Sequence, residues 1–77
     1  MNTYEQTYLQ NLGTNIRKLR EKRNLSQFDL ASDCNIPKIQ IGRIERAEIN
    51  TTVRTLLKIS KALNISVKEL FDFEEKS

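Results

Sequence analysis

One short sequence pattern occurs three times in the 77 residues and limits what the chain can fold into. An asparagine is followed by an apolar residue and then by serine or proline. Asparagine tolerates the left-handed backbone conformation that ends many helices, whereas serine is a good N-cap and proline suits a first helical turn. Each copy therefore predicts that one helix ends and another begins after a tight turn. The copies are Asn24-Leu25-Ser26, Asn35-Ile36-Pro37 and Asn64-Ile65-Ser66.

The spacing of the first two copies is also informative. They stand 11 residues apart, so they enclose a helix of only about two turns. Another helix begins directly after it, and two short helices joined by so tight a turn are typical of the helix-turn-helix arrangement. In that arrangement the second helix enters the major groove of DNA. The spacing therefore predicts a helix-turn-helix over about residues 26–46.

The apolar residues extend this prediction to an all-α bundle of five helices. Leu9, Leu12, Ile16 and Leu19 recur at intervals of three and four, as one buried face of a first helix requires. Gly13, inside the same helix, permits a close contact with another helix. The sequence contains no strand signal. The predicted helices span about 8–23, 26–35 and 37–46, then a fourth helix that Thr51 or Thr52 caps, and a fifth over about 66–73.

The predicted core of the later helices comes from the same spacing. Ile41 and Ile44 form the buried pair of the third helix, and Cys34 is a small core residue at the end of the second. The fourth helix carries one apolar stripe. Its members are Val53, Leu56, Leu57, Ser60 and Leu63.

Composition narrows the function. With a single cysteine and no histidine, the chain has no internal disulfide, no plausible metal site and no sign of a cofactor. The commonest general base is missing, which disfavours an enzyme. No apolar run reaches membrane length and the N-terminus lacks a signal-peptide pattern, so we expect a cytoplasmic protein. We expect one domain over residues 1–77, with its core at about 8–73.

The charges are unevenly distributed. Residues 16–46 carry eight basic and four acidic side chains, whereas residues 69–77 carry one basic and four acidic. A basic body with an acidic tail fits a face that binds a polyanion and an opposite face turned away from it. Surface lysines and arginines also solubilise helices, and charge alone does not separate these two interpretations.

Four segments resemble the phage-repressor (Cro-type) helix-turn-helix family, which has the lambda-repressor-like DNA-binding domain. They are LSQFDLA at 25–31, NI at 35–36, IGRIER at 41–46 and TLLKISKAL at 55–63. The resemblance runs from about Leu12 to Phe71. It implies a compact five-helix bundle that binds double-stranded operator DNA as a homodimer and regulates transcription, commonly as a repressor. Small members include phage repressors, restriction–modification controllers and antitoxins.

The sequence departs from the family pattern at three positions. Pro37 stands where serine or threonine is usual, so the third helix loses a side-chain cap. Ala47 replaces the common glycine after the Glu-Arg pair, which leaves the geometry of that turn open. Phe28 stands where a charged residue is usual, and it packs either on DNA, on a partner protein or back on the first helix.

Resemblance and geometry together assign base contacts to the third helix. Lys38, Ile39 and Gln40 occupy its first turn, which goes deepest into the major groove in this motif. Lys38 can donate to guanine, Ile39 can meet a thymine methyl group, and Gln40 can pair with adenine or a phosphate. Arg43 lies one turn further along and can reach a base edge or the backbone. Gly42 allows a close approach of the helix.

Phosphate contacts are expected at two helix starts. Gln27 stands at the N-terminus of the second helix, where backbone N–H groups and the helix dipole favour an anion. Its alternative role is membership of the local cap. The second cluster surrounds the turn before the fourth helix, and each member is alternatively a solvated polar residue. This cluster is Arg46, Asn50, Thr51 and Thr52.

Two further sets of residues have structural roles. In the family, an arginine near the end of the first helix pairs with a glutamate of the recognition helix, and Arg20 with Glu45 matches that pair. Leftover apolar surface on a short fifth helix predicts a homodimer interface. The predicted interface residues are Leu70, Phe71 and Phe73, which alternatively close the core of the protomer.

Two functions remain open from the sequence. The first is a sequence-specific DNA-binding regulator that acts as a dimer on a pseudo-palindromic operator. The second is an antitoxin or another protein-interaction module with the same fold, for which Phe28, Phe71 and Phe73 are candidate contacts to an unknown protein partner.

Overall fold

The computed structural model describes residues 3–74, and all regular secondary structure in that range is α-helical. The prediction of an all-α chain with five helices is confirmed. The acidic tail extends in the sequence to Glu75 and Lys76, which lie outside the described residues. The helices are α1 (Thr3–Lys22), α2 (Gln27–Cys34), α3 (Lys38–Glu45), α4 (Val53–Ala62) and α5 (Val67–Leu70).

The three asparagines form the predicted turns. Asn24, Asn35 and Asn64 have φ angles of 59°, 56° and 58°, in the left-handed region. After each asparagine, the N–H of the apolar residue donates to the carbonyl five residues earlier, the pattern of a Schellman helix end. These bonds join Leu25 to Arg20 at 3.2 Å, Ile36 to Ala31 at 3.1 Å and Ile65 to Ser60 at 3.0 Å.

Ala47 forms a fourth turn of the same kind. Its φ angle is 58°, and the N–H of Glu48 donates to the carbonyl of Arg43 at 2.8 Å. A side chain in this conformation costs about 1–2 kcal/mol relative to glycine, and Ala47 is also buried. A left-handed turn, which glycine would form without this cost, is therefore formed here by an alanine.

Side-chain caps fix two of the helix starts. Ser26 and Asp29 form a capping box, in which the N–H of Asp29 donates to Ser26 Oγ at 2.9 Å and the N–H of Ser26 donates to Asp29 Oδ2 at 3.0 Å. Of the two candidate caps for α4, Thr52 is the one used, since its Oγ1 accepts from the N–H of Thr55 at 3.1 Å. Pro37 begins α3 without a side-chain cap, as expected.

Two predicted helix limits were wrong. α1 begins at Thr3 rather than near Tyr8, because the polar residues before Tyr8 carry no apolar spacing from which to read a helix. α5 ends at Leu70 rather than near Phe73. There, the side-chain amide of Asn15 donates to the carbonyls of Glu69 at 3.1 Å and Leu70 at 2.8 Å, and so satisfies carbonyls at the end of the helix.

A single core joins all five helices. The largest fully buried side chains are Ile16 of α1, Leu30 of α2, Ile41 of α3, Ile59 of α4, Leu63 just after α4 and Leu70 of α5.

The predicted stripe on α4 was partly wrong. Leu56, Ser60 and Leu63 are buried, but Val53 and Leu57 are exposed and Ile59 takes the inner position instead. No helix within residues 3–74 is long and apolar enough to cross a membrane.

Gly13 marks a very close contact between α1 and the end of α3. A Cβ atom built on Gly13 would lie 2.5 Å from the carbonyl oxygen of Glu45 and 2.6 Å from that of Ile44. Only glycine allows the backbone of α1 to approach the end of α3 so closely. The predicted close contact is confirmed, and it fixes α3 against α1.

Candidate nucleic-acid interface

α3 has a buried side and an exposed side. Ile41 and Ile44 are buried, whereas Ile39 is 71% exposed and Arg43 is also exposed. Ile39, Arg43 and the following Arg46 are spaced by four and three residues, so they share the outer side of the helix. Lys38 is exposed in the first turn.

Two residues of the predicted base-contacting region are less accessible. Gln40 is half-buried, since it lies toward the packed side of α3, and Gly42 is buried. A Cβ atom on Gly42 would lie 2.9 Å from Arg46 Nη1 and 3.3 Å from Gln27 Oε1. The ends of these two long side chains therefore cover Gly42 in the protein alone.

Arg20 and Glu45 are in direct contact. Arg20 Nε donates to Glu45 Oε2 at 2.7 Å and Arg20 Nη2 donates to Oε1 at 3.1 Å. Their side chains are only 9% and 2% exposed. Arg20 Nη1 also donates to the carbonyl of Leu25 at 2.8 Å, so one guanidinium joins α1, the turn before α2 and α3. The hydrogen bond to Glu45 raises the pKa of Arg20 above its ordinary value.

Gln27 belongs to the same network. Its Nε2 donates to Glu45 Oε1 at 3.0 Å, which connects the start of α2 to α3. The cap of α2 is formed by Ser26 and Asp29 instead, so the alternative role of Gln27 in the local cap is not the one observed. The half-buried amide lies beside the outer face of α3.

Glu48 is a residue that the sequence reasoning missed. Its Oε2 accepts a hydrogen bond from Arg46 Nε at 2.7 Å, and its Oε1 accepts one from Arg46 Nη2 at 3.3 Å. Glu48 Oε1 also lies 4.0 Å from Arg43 Nε. The hydrogen bond from Arg46 lowers the pKa of Glu48 below its ordinary value. The sequence did contain one signal for this ion pair, because Glu48 is an acidic residue two positions after Arg46, a candidate DNA contact.

The turn before α4 holds the second set of predicted phosphate contacts. Asn50 and Thr52 are exposed and Thr51 is half-buried. The hydroxyl of Thr52 is engaged in capping α4 and donates to Thr55 Oγ1 at 3.1 Å. Thr51 Oγ1 is buried and makes no hydrogen bond within the described part of the chain.

The predicted dimer residues divide into three environments. Leu70 is 0% exposed in the core of its own protomer, so it is not available to a partner and that assignment was wrong. Phe73 is half-buried, with its ring centroid 5.1 Å from that of Tyr8. Phe71 is 37% exposed and lies 6.4 Å from the ring of Tyr8.

Cys34 is buried as expected, and its burial raises the pKa of the thiol.

Comparison with known proteins defines the class. The family model described as Helix-turn-helix matches residues 16–70, which is more than half of the chain. The chain therefore belongs to the helix-turn-helix family of DNA-binding transcription regulators. The family resemblance inferred from the sequence is confirmed.

Several similar proteins are control proteins. The chain is 44% identical over 59 residues to the control protein C.SmaI of Serratia marcescens, a match that covers 77% of this chain and 70% of that protein. It is 40% identical over 62 residues to C.BamHI of Bacillus amyloliquefaciens, covering 79% and 76%. The crystal structure of the restriction-modification controller C.AhdI of Aeromonas hydrophila superposes with a TM-score of 0.81 at 35% identity, covering 82% of this chain and 96% of that one.

Proposed function

We propose that the chain binds a pseudo-palindromic operator as a homodimer, with the outer side of α3 in the major groove. The observation that carries this proposal is the exposure of Ile39 among cations. A large apolar side chain that is 71% exposed gains from a complementary surface, and a thymine methyl group in the groove provides one. Lys38 and Arg43 beside it offer donors for guanine, and Gln40 offers its amide to adenine.

The proposed phosphate contacts flank this helix on both sides. Gln27 lies at the start of α2, and Arg46, Asn50, Thr51 and Thr52 surround the start of α4. Helix starts favour anions because the helix dipole is positive there and because the first-turn N–H groups that the Ser26 and Thr52 caps do not engage are free. Such contacts fix the register of the protein on DNA without reading sequence.

The proposed biological role is control of restriction–modification genes in the cytoplasm, by binding rather than by catalysis. Support comes from the identity to C.SmaI and C.BamHI and the structural likeness to C.AhdI. The alternative role as an antitoxin or protein-interaction module has no observation in its favour among these relatives. The first test is whether the operator lies upstream of such genes.

The DNA face is tested with duplexes selected by the protein from a random pool. The double variant Lys38→Ala, Arg43→Ala should fold normally, because both side chains are exposed, and should bind the selected duplex more weakly by about 1–3 kcal/mol for each base-reading residue. The control is Arg17→Ala, Lys18→Ala, which removes the same charge from exposed positions of α1. Unchanged affinity in the first variant would refute the assignment.

We propose that the dimer uses Phe71 together with a neighbouring groove between α4 and α5. Leu57, Ile65 and Val67 line this groove, and Glu69 borders both the groove and the hollow beside Phe71. A second copy of the chain would cover this apolar surface. Two recognition helices would then contact half-sites about 10 bp apart or a multiple of it.

The dimer proposal predicts the behaviour of two aromatic variants. Phe71→Ala should shift sedimentation toward the monomer and weaken operator binding without touching α3. Phe28→Ala removes an equally large and more exposed ring from α2, and it should leave the sedimentation unchanged. A parent protein that is monomeric at high micromolar concentration and binds an asymmetric site as one copy would contradict the proposal.

A further inference from the structure

Glu48 places a negative charge within the proposed DNA-binding surface. A carboxylate repels phosphate, yet this one contacts two cations that we propose for DNA. Arg46 donates to it twice, at 2.7 and 3.3 Å, and Arg43 Nε lies 4.0 Å from its Oε1. All three side chains are about half exposed, so solvent and DNA can compete for each contact.

The position of Glu48 is set by the backbone. Its N–H is held by the 2.8 Å bond to the carbonyl of Arg43, and Ala47 before it takes the left-handed conformation of that turn. Arg46 in turn folds back over α3, with Nη1 covering Gly42. The carboxylate is thus directed at the two arginines by the turn itself, and the arginines are held beside α3 before any DNA arrives.

We infer that Glu48 is a positioning residue for specificity. Its carboxylate offsets the positive charge that Arg43 and Arg46 offer to DNA of arbitrary sequence, and it orients their guanidinium groups for the operator. This inference rests on the proposed DNA-binding function. Binding to arbitrary DNA depends on how many phosphates the protein neutralises and how many counterions are released. A carboxylate bound to Arg46 and close to Arg43 lowers that number. On an operator, base edges and phosphates at the matching register replace the carboxylate as acceptors.

The test compares two duplexes over a range of salt concentrations. One duplex is selected by the parent protein from a random pool, and the other has the same length and composition in shuffled order. Glu48→Gln should bind the shuffled duplex about 5–10-fold more tightly, with a plot of log affinity against log salt that is steeper by about 1. The ratio of selected to shuffled affinity should fall about 3–5-fold, because the selected duplex should gain only about 2-fold.

The matched control is Glu21→Gln. Glu21 also pairs with an arginine, accepting from Arg17 Nε at 3.2 Å, but it lies on α1 and both partners are more exposed. Its removal should leave the affinity ratio of the parent unchanged. Repeating Glu48→Gln in an Arg46→Ala background should give a smaller fall in the ratio, because Glu48 acts mainly through Arg46.

The outcomes separate this inference from the proposed function. If Glu48→Gln tightens both duplexes by the same factor, or behaves like Glu21→Gln, Glu48 contributes only general charge and the inference is wrong. If the Lys38→Ala, Arg43→Ala variant also binds the selected duplex like the parent, the proposed function of α3 fails as well. Thermal melting of each variant verifies that the comparison is between folded proteins.

Discussion

Replacing Arg20 with alanine tests how α3 is held in place. In the parent, the guanidinium makes two hydrogen bonds to Glu45 and one to the carbonyl of Leu25. In Arg20→Ala the carboxylate of Glu45, which is 2% exposed, keeps only the amide of Gln27 as a polar side-chain partner among the bonds described above. A buried charge that has lost its ionic partner is strongly destabilising.

The magnitude follows from the burial. Breaking a buried ion pair by removing one partner costs about 3–5 kcal/mol, and the 2% exposure of Glu45 places this pair in that class. A chain of 77 residues has a total stability of about 4–12 kcal/mol at ordinary values per residue. The single substitution is therefore expected to remove a large part of the free energy of unfolding, and DNA binding should fall with it.

Urea denaturation of parent and variants measures this loss. Arg17→Ala is the matched control on the same helix, because Arg17 pairs with Glu21 while the two side chains are 62% and 54% exposed. Exposed pairs contribute about 0–1 kcal/mol, so this control should unfold nearly like the parent. If Arg20→Ala has the stability of the parent and loses only DNA affinity, Arg20 is a phosphate contact and the reasoning is wrong.

Three other substitutions test the backbone contact and the cap. Gly13→Ala should destabilise by about 1–3 kcal/mol or more, because its methyl group meets backbone carbonyls, whereas Gly42→Ala meets only the ends of flexible side chains and should cost less in the same denaturation assay. A hydrogen bond from the backbone N–H of Ser26, and to a lesser extent one from its hydroxyl, lowers the pKa of Asp29. The contribution of Asp29 to folding stability is therefore present above an unfolded pKa of about 4 and is lost as pH falls through the folded pKa. In a plot of melting temperature against pH, Asp29→Asn should flatten the acid part of the curve. An unchanged curve would exclude a stabilising role of the Asp29 carboxylate in the cap.

Local sequence predicted the features that depend on local chemistry. The asparagine turns, the Ser26 cap and the all-α fold follow from conformational preferences and from apolar spacing within one helix. The geometry of the fourth turn stayed open because alanine gives no signal for the left-handed conformation that Ala47 adopts. The carbonyls at the early end of α5 accept from Asn15, more than 50 residues away in sequence, so no local pattern contains this contact.

The candidate site shows the same division. The outward position of Ile39 and Arg43 follows from helical spacing once Ile41 and Ile44 are assigned to the core. Helical spacing does not choose between Leu57 and Ile59 as the buried residue of α4, since both positions fit a helical stripe. The orientation of α4 against the core determines which of the two is buried. The contact of Glu48 with the arginines depends on the shape of a turn.

The close approach of α1 and α3 at Gly13 has a consequence for operator geometry. Backbone contact at the end of α3 leaves no layer of side chains there that could repack and let this helix tilt, so in the proposed complex α3 enters the groove as a rigid template with little ordering left to do. Adding one base pair between half-sites moves one of them by about 3.4 Å and rotates it by about 35°. In the proposed dimer, that change must be absorbed by the joint between protomers or by bending of the DNA. The tolerated half-site spacing therefore reports the stiffness of the dimer joint and of the DNA rather than that of α3.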